Sequence, residues 1–184
     1  MGHNGAGKST LINSICGLVN RNYGNAKMFE FDINHNLRKI RKRLGVVSQF
    51  DVLWDELTGI EHMQLFQLLK RVEIKNFEAL VERRLGDVGL RDSGNLMVGK
   101  YSGGMRRRIS VALSTMGNPN VILMDEPTTG MDPVSRRHVW SLIQKLKDDT
   151  AIIMTTHAME EAEILSDKLI VLDHGMLKCA GTPL

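Results

Sequence analysis

The stretch Gly2-His3-Asn4-Gly5-Ala6-Gly7-Lys8-Ser9 decides the fold that this sequence predicts. It fits the pattern G-x-x-x-x-G-K-[ST], in which glycines let successive backbone N–H groups turn inward around phosphate oxygens. In such a loop Lys8 contacts the β- and γ-phosphates of a nucleotide, and Ser9 offers its hydroxyl to Mg²⁺. A helix predicted from Lys8 to about Cys16 adds the partial positive charge of its N-terminus. The alternative is a glycine-rich turn with an exposed lysine; in either case we expect the His3 side chain to be incidental.

A second anionic element follows the apolar run Val121-Ile122-Leu123-Met124, which is typical of a strand buried on both faces. Asp125 and Glu126 come directly after it and therefore lie at the carboxyl edge of the sheet, where open α/β sheets bind ligands. Asp125 is the predicted partner of Mg²⁺. Glu126 is predicted to orient or deprotonate an attacking water, although a solvated acidic loop would have the same composition.

Strands and helices alternate along the rest of the chain, which predicts an α/β fold with a parallel, doubly wound sheet. Helix starts are clear at Thr58, which forms a capping-box pattern with Glu61, and at Asp132, which precedes Pro133. The predicted strands are 26–31, 44–48, 121–124, 151–155, 168–173 and 176–180.

Three ranges describe the expected organisation. Residues 1–50 form the first part of the core, beginning at the phosphate loop. Residues 51–101 carry no strand signal and are predicted to be a helical subdomain. Residues 102–184 return to the core, beginning with a helix that the turn at Ser102 opens.

Composition excludes several classes of protein. The 184 residues are 42% apolar and 24% charged, which is typical of a globular chain. No apolar run approaches the roughly 20 residues of a membrane span. The net charge of +3 is low for a nucleic-acid binder, so we expect no nucleic-acid partner. The basic runs 38–43 and 106–108 are interpreted as solvated helix faces, with a polyanion site as the alternative for 38–43.

The two cysteines, Cys16 and Cys179, lie near opposite ends of the chain and have no companion ligands in the sequence. A structural zinc site needs about four clustered ligands, so we do not expect one. Two free thiols suit a reducing compartment.

The motifs, taken in order, resemble those of the ATP-binding cassette (ABC) ATPases. After the phosphate loop come Gln49, Ser102-Gly103-Gly104, Asp125-Glu126-Pro127, Met131-Asp132 and His157. The triplet at 102–104 is similar to the signature that separates this family from other phosphate-loop enzymes. The resemblance covers nearly the whole chain and implies a P-loop NTPase fold of the ABC type.

Finer features resemble the A subfamily of ABC transporters, which mostly moves lipids and other hydrophobic compounds. They are the stretches 49–58, 101–105, 128–133 and 155–162, together with the phosphate loop itself. Tyr101 and Met105 stand where the wider family commonly has Leu and Gln.

The resemblance implies ATP and Mg²⁺ as ligands and assigns residues to them. Catalytic roles fall to Glu126, His157 and Gln49, and Mg²⁺ binding to Ser9, Gln49 and Asp125. The nucleotide-binding residues it implies are Gly2, Asn4, Gly5, Ala6, Gly7, Lys8, Ser9, Thr10, Ser102, Gly103, Gly104 and Asp132.

Some of these roles need a second cassette. The resemblance implies that Ser102 to Gly104 act on the γ-phosphate bound by the opposite cassette and that Asp132 signals between the two sites. By themselves, Ser102 and Asp132 are equally good helix caps, Gln49 is an ordinary polar residue after a strand, and a lone His157 is more often structural.

The expected partners are a second cassette and the transmembrane domains of a transporter, which would hold the chain at the cytoplasmic face of a membrane. The alternatives are a non-transport ABC ATPase of DNA repair or translation, and a catalytically silent binding fragment. Repair-type members insert very long coiled coils before the signature, whereas the insert here is compact.

The chain begins one residue before Gly2, so the strand and the adenine-stacking aromatic residue that the family places upstream are not in it. We therefore expect an N-terminally truncated cassette that is a poor ATPase by itself. We also expect the loop to be held only at its helical end, and the strand at 121–124 to be left with unpaired backbone groups.

Overall fold

The computed structural model describes residues 1–20, 22–71 and 75–183. Two short 3₁₀ turns span Arg91–Ser93 and Val98–Lys100. In chain order the helices and strands are α1 (Lys8–Cys16), β1 (Lys27–Met28), β2 (Phe31–Asp32), α2 (Leu37–Lys42), β3 (Leu44–Val47), α3 (Gly59–Lys70), α4 (Phe77–Asp87), α5 (Gly103–Ser114), β4 (Val121–Asp125), α6 (Pro133–Leu146), β5 (Ala151–Thr155), α7 (Met159–Leu165), β6 (Leu169–Asp173) and β7 (Met176–Gly181).

A parallel sheet of β3, β4 and β5 forms the centre of the fold, with β4 in the middle. All five residues of β4 are buried. Val121 and Leu123 pack with Ile12 of α1, whereas Ile122 and Met124 belong to the larger cluster built around α5 and α6. Because successive side chains of a strand point to opposite faces, β4 carries helices on both sides. The predicted parallel sheet with two covered faces is confirmed.

The expectation that β4 would lack a partner is wrong, because β4 pairs with β3 along one edge and with β5 along the other. The outer strands of this sheet are β3 and β5, and Ile153 of β5 is 45% exposed. The last two predicted strands, β6 and β7, form a separate antiparallel pair and do not extend the parallel sheet.

The start of the chain lies along β6. The Met1 amino group donates to the Ile170 carbonyl at 2.6 Å, and the Leu172 N–H donates to the Met1 carbonyl at 2.8 Å. The phosphate loop is therefore held at both ends, by these bonds and by α1. This corrects the expectation that only its helical end is held.

The segment 51–101 is helical, as predicted, with the capping box of Thr58 and Glu61 opening α3. Within its described residues the sole strand-like feature is an isolated bridge between Thr58 and Met97. Its apolar side chains, Met63 among them, share one hydrophobic cluster with Ile122 of the sheet. The division of the chain at 50/51 and 101/102 stays a prediction, and residues 21, 72–74 and 184 of those ranges are outside the described residues.

Other local predictions have mixed outcomes. Asp132 caps α6 by accepting from the Ser135 N–H at 2.9 Å, as predicted. The strand predicted at 26–31 is instead the two-strand hairpin β1–β2, which turns at Phe29 with a φ of 58°. The basic run of α2 is mostly exposed around a buried Ile40, as expected for a solvated face.

The longest described helix, α6, has 14 residues. A helix needs about 20 apolar residues to cross a bilayer. No helix in the described ranges combines that length with that apolar character.

Candidate functional site

The phosphate loop closes around its own lysine. Gly7, with a φ of 94°, adopts a left-handed conformation that other residues adopt only with strain, and α1 begins directly after it. Lys8 is buried, and its Nζ donates to the carbonyl of Gly2 at 2.7 Å and to that of His3 at 3.1 Å. No side chain caps the N-terminus of α1, so its first N–H groups are oriented toward any anion bound there.

The lysine also contacts the acid that follows β4. Lys8 Nζ lies 3.2 Å from Oε1 of Glu126, and both side chains are nearly buried. The other carboxylate oxygen accepts from the Thr129 hydroxyl at 3.1 Å and lies 3.4 Å from Nδ1 of His157. The fold thus brings together Lys8, Glu126 and His157. Lys8 and Glu126 are 118 positions apart in sequence, and Glu126 and His157 are 31 positions apart.

Opposing effects set the pKa of the Glu126 carboxyl. Burial is the largest single effect and raises it. The hydrogen bond and charge of Lys8, with the hydrogen bonds of Thr129 and His157, together bring the pKa below its ordinary value. Glu126 is therefore a carboxylate at neutral pH and holds the lysine within the loop.

Asp125 is oriented by the neighbouring strand. Its Oδ1 accepts from the Thr155 hydroxyl at 2.5 Å, and the same hydroxyl accepts from the Glu126 N–H at 3.0 Å. Sequence reasoning missed Thr155, although a polar residue at the carboxyl end of a predicted strand is a usable signal.

The oxygen donors predicted for a metal fit Mg²⁺ chemically, because a hydroxyl, a carboxylate and an amide oxygen are all hard ligands. Ser9 lies in the first turn of α1, and Asp125 ends β4 with its carboxylate buried and oriented. Gln49 is exposed two residues beyond β3, at the same carboxyl edge of the sheet.

The interpretation of 106–108 as a solvated helix face is wrong for the middle residue, Arg107. Arg107 is 6% exposed, and its guanidinium donates to the carbonyls of Asp125 at 2.8 Å, Glu126 at 2.9 Å and Pro127 at 3.0 Å. It also donates to the Ser48 carbonyl and pairs with Asp51 at 3.2 Å. A helix-face argument misses this, since it assumes that charged side chains point to water.

The arginines on either side of Arg107 also have partners. Arg106 forms an ion pair with Asp55 at 2.6 Å, and Arg108 donates to the Val88 carbonyl at 2.7 Å. The three side chains connect α5 to the end of β4 and to the helical segment.

The remaining predicted residues form a separate group. Ser102 caps α5 by accepting from the Met105 N–H at 3.3 Å. Gly104, in the first turn of α5, lies beside Asp132, the cap of α6; a Cβ at Gly104 would be 3.6 Å from the Asp132 carboxylate. Among the hydrogen bonds of the described residues, those of Ser102 and Asp132 remain within their own helix starts. The structure does not join this group to the Lys8–Glu126 pair within one chain.

Asn4 and Gly5 of the loop are exposed, whereas Ala6 is buried and donates its N–H to the His3 carbonyl at 3.2 Å. Thr10 is exposed on α1. Contrary to expectation, the His3 side chain has two partners, as its Nε2 lies 2.8 Å from Asp173 and its Nδ1 2.5 Å from the Asn4 carbonyl. Both hydrogen bonds raise the pKa of the His3 imidazole, and the bond to Asp173 has the larger effect.

Comparison with known proteins gives a consistent result. Residues 1–129 match the family model of the ABC transporter. The chain is 48% identical over 184 residues to ABC transporter A family member 2 of Arabidopsis thaliana, an alignment that covers 99% of this chain and 19% of that protein. It is 42% identical to ABC transporter A family member 1 of Dictyostelium discoideum, over 100% of this chain and 21% of that protein. The chain thus spans about a fifth of the length of these curated relatives.

Solved structures agree in fold. The ATP-binding subunit of an ABC transporter superposes with a TM-score of 0.88 at 25% identity, covering 99% of this chain and 76% of the other. A dimeric ATP-binding cassette in a post-hydrolysis state, bound to ADP and Pi, superposes with a TM-score of 0.89 at 27% identity. That alignment covers all of this chain and 84% of the other.

We expect Lys8→Met to lower the free energy of unfolding at pH 7 by about 2 kcal/mol, because it leaves the Glu126 carboxylate nearly buried without its cation. The lowered pKa means that the pair stabilises the fold above the ordinary carboxyl pKa of 4.5 and that this contribution is lost as the pH falls through the folded-state value. Urea unfolding of both proteins at pH 7 and pH 3.5 measures the difference. An equal loss at both pH values would contradict the ion pair.

We expect Arg107→Met to destabilise the chain by about 3 kcal/mol, because it removes the buried guanidinium that donates to the carbonyls of Asp125, Glu126 and Pro127. Arg137→Met is the matched control, since Arg137 is exposed on α6 and its loss should change the stability by less than about 0.5 kcal/mol. Urea denaturation of both variants checks this. Similar small losses in both would show that the Arg107 bonds contribute nothing.

Proposed function

The chain belongs to the ABC transporter family, and from this membership we propose that it is the ATP-hydrolysing motor cassette of an A-subfamily transporter. Hydrolysis would be coupled to the movement of lipids or other hydrophobic compounds across a membrane. The observation that carries the proposal is the meeting of Lys8, Glu126 and His157 at the end of β4, beside the phosphate loop.

In this proposal the loop and the start of α1 bind the phosphates of ATP. The backbone N–H groups of residues 2–10 supply donors, and Lys8 adds a charge toward the β- and γ-phosphates. Ser9, Asp125 and Gln49 would hold Mg²⁺, which neutralises charge on the phosphate oxygens when it is bound.

The Lys8–Glu126 pair suggests how binding prepares the site. In the present arrangement Lys8 is held by two loop carbonyls and by Glu126. A triphosphate offers the ammonium group a stronger anionic partner, so Lys8 would turn away from the carboxylate. Loss of that cation would remove the Lys8 hydrogen bond and charge that lower the pKa of Glu126, so this pKa would rise and the carboxylate would become a better base toward an attacking water.

His157 is proposed to contact the γ-phosphate. It is half exposed and lies against Glu126, so it borders the same space as the carboxylate. Its Nδ1 faces Glu126, which leaves Nε2 on the other side of the ring for a hydrogen bond to phosphate.

A second cassette would complete each site. Ser102 and Asp132 lie at two adjacent helix starts whose bonds are separate from the phosphate loop. An exposed helix N-terminus binds anions, and Gly103 leaves open space beside it. We propose that Ser102 to Gly104 contact the nucleotide of the partner and that Asp132 links the two sites.

Transmembrane domains are the other proposed partners, and they would hold the cassette at the cytoplasmic face of the membrane. A lipid substrate would be tested by reconstituting the complete transporter in vesicles and measuring ATP-dependent movement of labelled lipid between leaflets. Movement that does not require ATP would count against the lipid proposal.

We expect Glu126→Gln to retain ATP binding and to lose hydrolysis by about 100-fold or more, because the amide does not accept a proton from water. The assay uses the chain extended by the upstream strand and the adenine-stacking residue of the family, with turnover measured as phosphate release. Glu160→Gln, at an exposed acid of α7, is the control and should retain full activity. Turnover of Glu126→Gln within threefold of the wild type would remove Glu126 from this role.

We expect a mixture of Lys8→Ala and Ser102→Arg chains to hydrolyse ATP although neither variant does so alone. The mixed dimer contains one composite site with an intact lysine on one chain and an intact Ser102 on the other. Dimer formation is followed by analytical ultracentrifugation and turnover by phosphate release. Mixed dimers that form and remain inactive would refute the shared site.

A further inference from the structure

Three side chains of metal-binding type meet where the phosphate loop touches the turn between β6 and β7. They are His3, Asp173 and His174, and one ligand atom from each lies within 4.8 Å of the others. In the described parts of the chain this is the sole group of three such residues. It is separate from the oxygen donors proposed for Mg²⁺.

The spacing of the ligand atoms suits a small tetrahedral ion. Asp173 Oδ1 lies 2.8 Å from His3 Nε2 and 3.6 Å from His174 Nε2. Zinc binds nitrogen and oxygen at about 2.0–2.2 Å, which places two ligand atoms of a tetrahedral site roughly 3.4 Å apart. The two separations from Asp173 lie on either side of that value, and all three ligand atoms lie within 4.8 Å of one another.

The groups behind these atoms orient them. His3 Nδ1 is bonded to the Asn4 carbonyl at 2.5 Å, which leaves its Nε2 directed at the carboxylate. Lys178 lies 3.4 Å from Oδ2 of Asp173, so Oδ1 is the oxygen that faces the two imidazoles. A histidine anchored to a backbone carbonyl through its second nitrogen is the usual outer-shell arrangement of a metal ligand.

We propose that His3, Asp173 and His174 bind one zinc-class dication, with water in the remaining position. Two imidazoles and one carboxylate suit Zn²⁺ and its d-block neighbours, whereas Mg²⁺ prefers oxygen ligands alone. His3 and His174 are exposed, so an ion enters directly from solvent. The expectation of no zinc site rested on the two cysteines alone, and none of the three ligands proposed here is a cysteine.

The site would tie the phosphate loop to a distant part of the chain. His3 belongs to the loop, whereas Asp173 and His174 end β6 and begin the turn. The Gly175 N–H already donates to the Ala6 carbonyl at 3.0 Å, so the metal would add a second link across the same junction. Binding of the ion does not require ATP, so this proposal is tested independently of the hydrolysis proposed above.

The test is calorimetric titration of ZnCl₂ into the nucleotide-free chain at pH 8, where imidazoles are available as ligands. A Cys179→Ser background removes the exposed thiol. We expect one equivalent to bind and a tenfold excess of MgCl₂ not to displace it. The midpoint of thermal unfolding should rise with added Zn²⁺, since a ligand of the folded state stabilises it.

His174→Ala and Asp173→Asn should each weaken zinc binding at least tenfold and remove the thermal shift. His35→Ala, at an exposed histidine outside the site, should change neither quantity. Thermal unfolding without zinc verifies that each variant is folded. If His174→Ala does not fold, Asp173→Asn still tests the site, because it preserves the shape of the side chain. No zinc binding to the parent chain, or unchanged affinity in the folded variants, would overturn the proposal.

Discussion

The burial of β4 on both faces and both edges is the constraint on which the rest of the structure depends. All five of its residues pair with β5 and the first four also pair with β3, while α1 covers one side and α5 and α6 cover the other. A strand enclosed in this way cannot shift its register without exposing one set of apolar side chains. The acid that ends β4, Asp125, and the acid that follows it, Glu126, are therefore held at one edge of the sheet, beside the phosphate loop.

Charge within this edge is balanced by two buried cations. Lys8 faces Glu126 from the loop, and Arg107 holds the backbone of 125–127 from α5. The lysine has partners that a phosphate would replace, whereas the arginine donates to backbone carbonyls at the end of β4. One cation is thus suited to exchange partners and the other to fix the position of the acids.

Much of the fold followed from local sequence pattern. Three features each specify a strand or a helix through interactions within a few residues, and all three are present in the structure. They are the apolar run at 121–124, the helix cap at Asp132 and the capping box at Thr58. The candidate site was predictable for a similar reason, since Lys8, Ser9, Asp125 and Glu126 stand at fixed offsets from a loop or a strand end. Their proposed roles in hydrolysis remain to be tested.

Apart from the hairpin β1–β2, the sequence by itself determined which segments are strands and helices, because hydrophobic periodicity and capping are local properties. Only the tertiary structure decided that β4 has two partner strands, that Met1 lies on β6, and that β6 and β7 leave the parallel sheet. It also decided that Arg107 is buried and that His3 meets Asp173. The hydrogen bonds of Arg107 and His3 join residues 18 and 170 positions apart in sequence. Hydrophobic periodicity is a local property, so it does not predict which charged side chain donates to buried carbonyl groups and which is solvated.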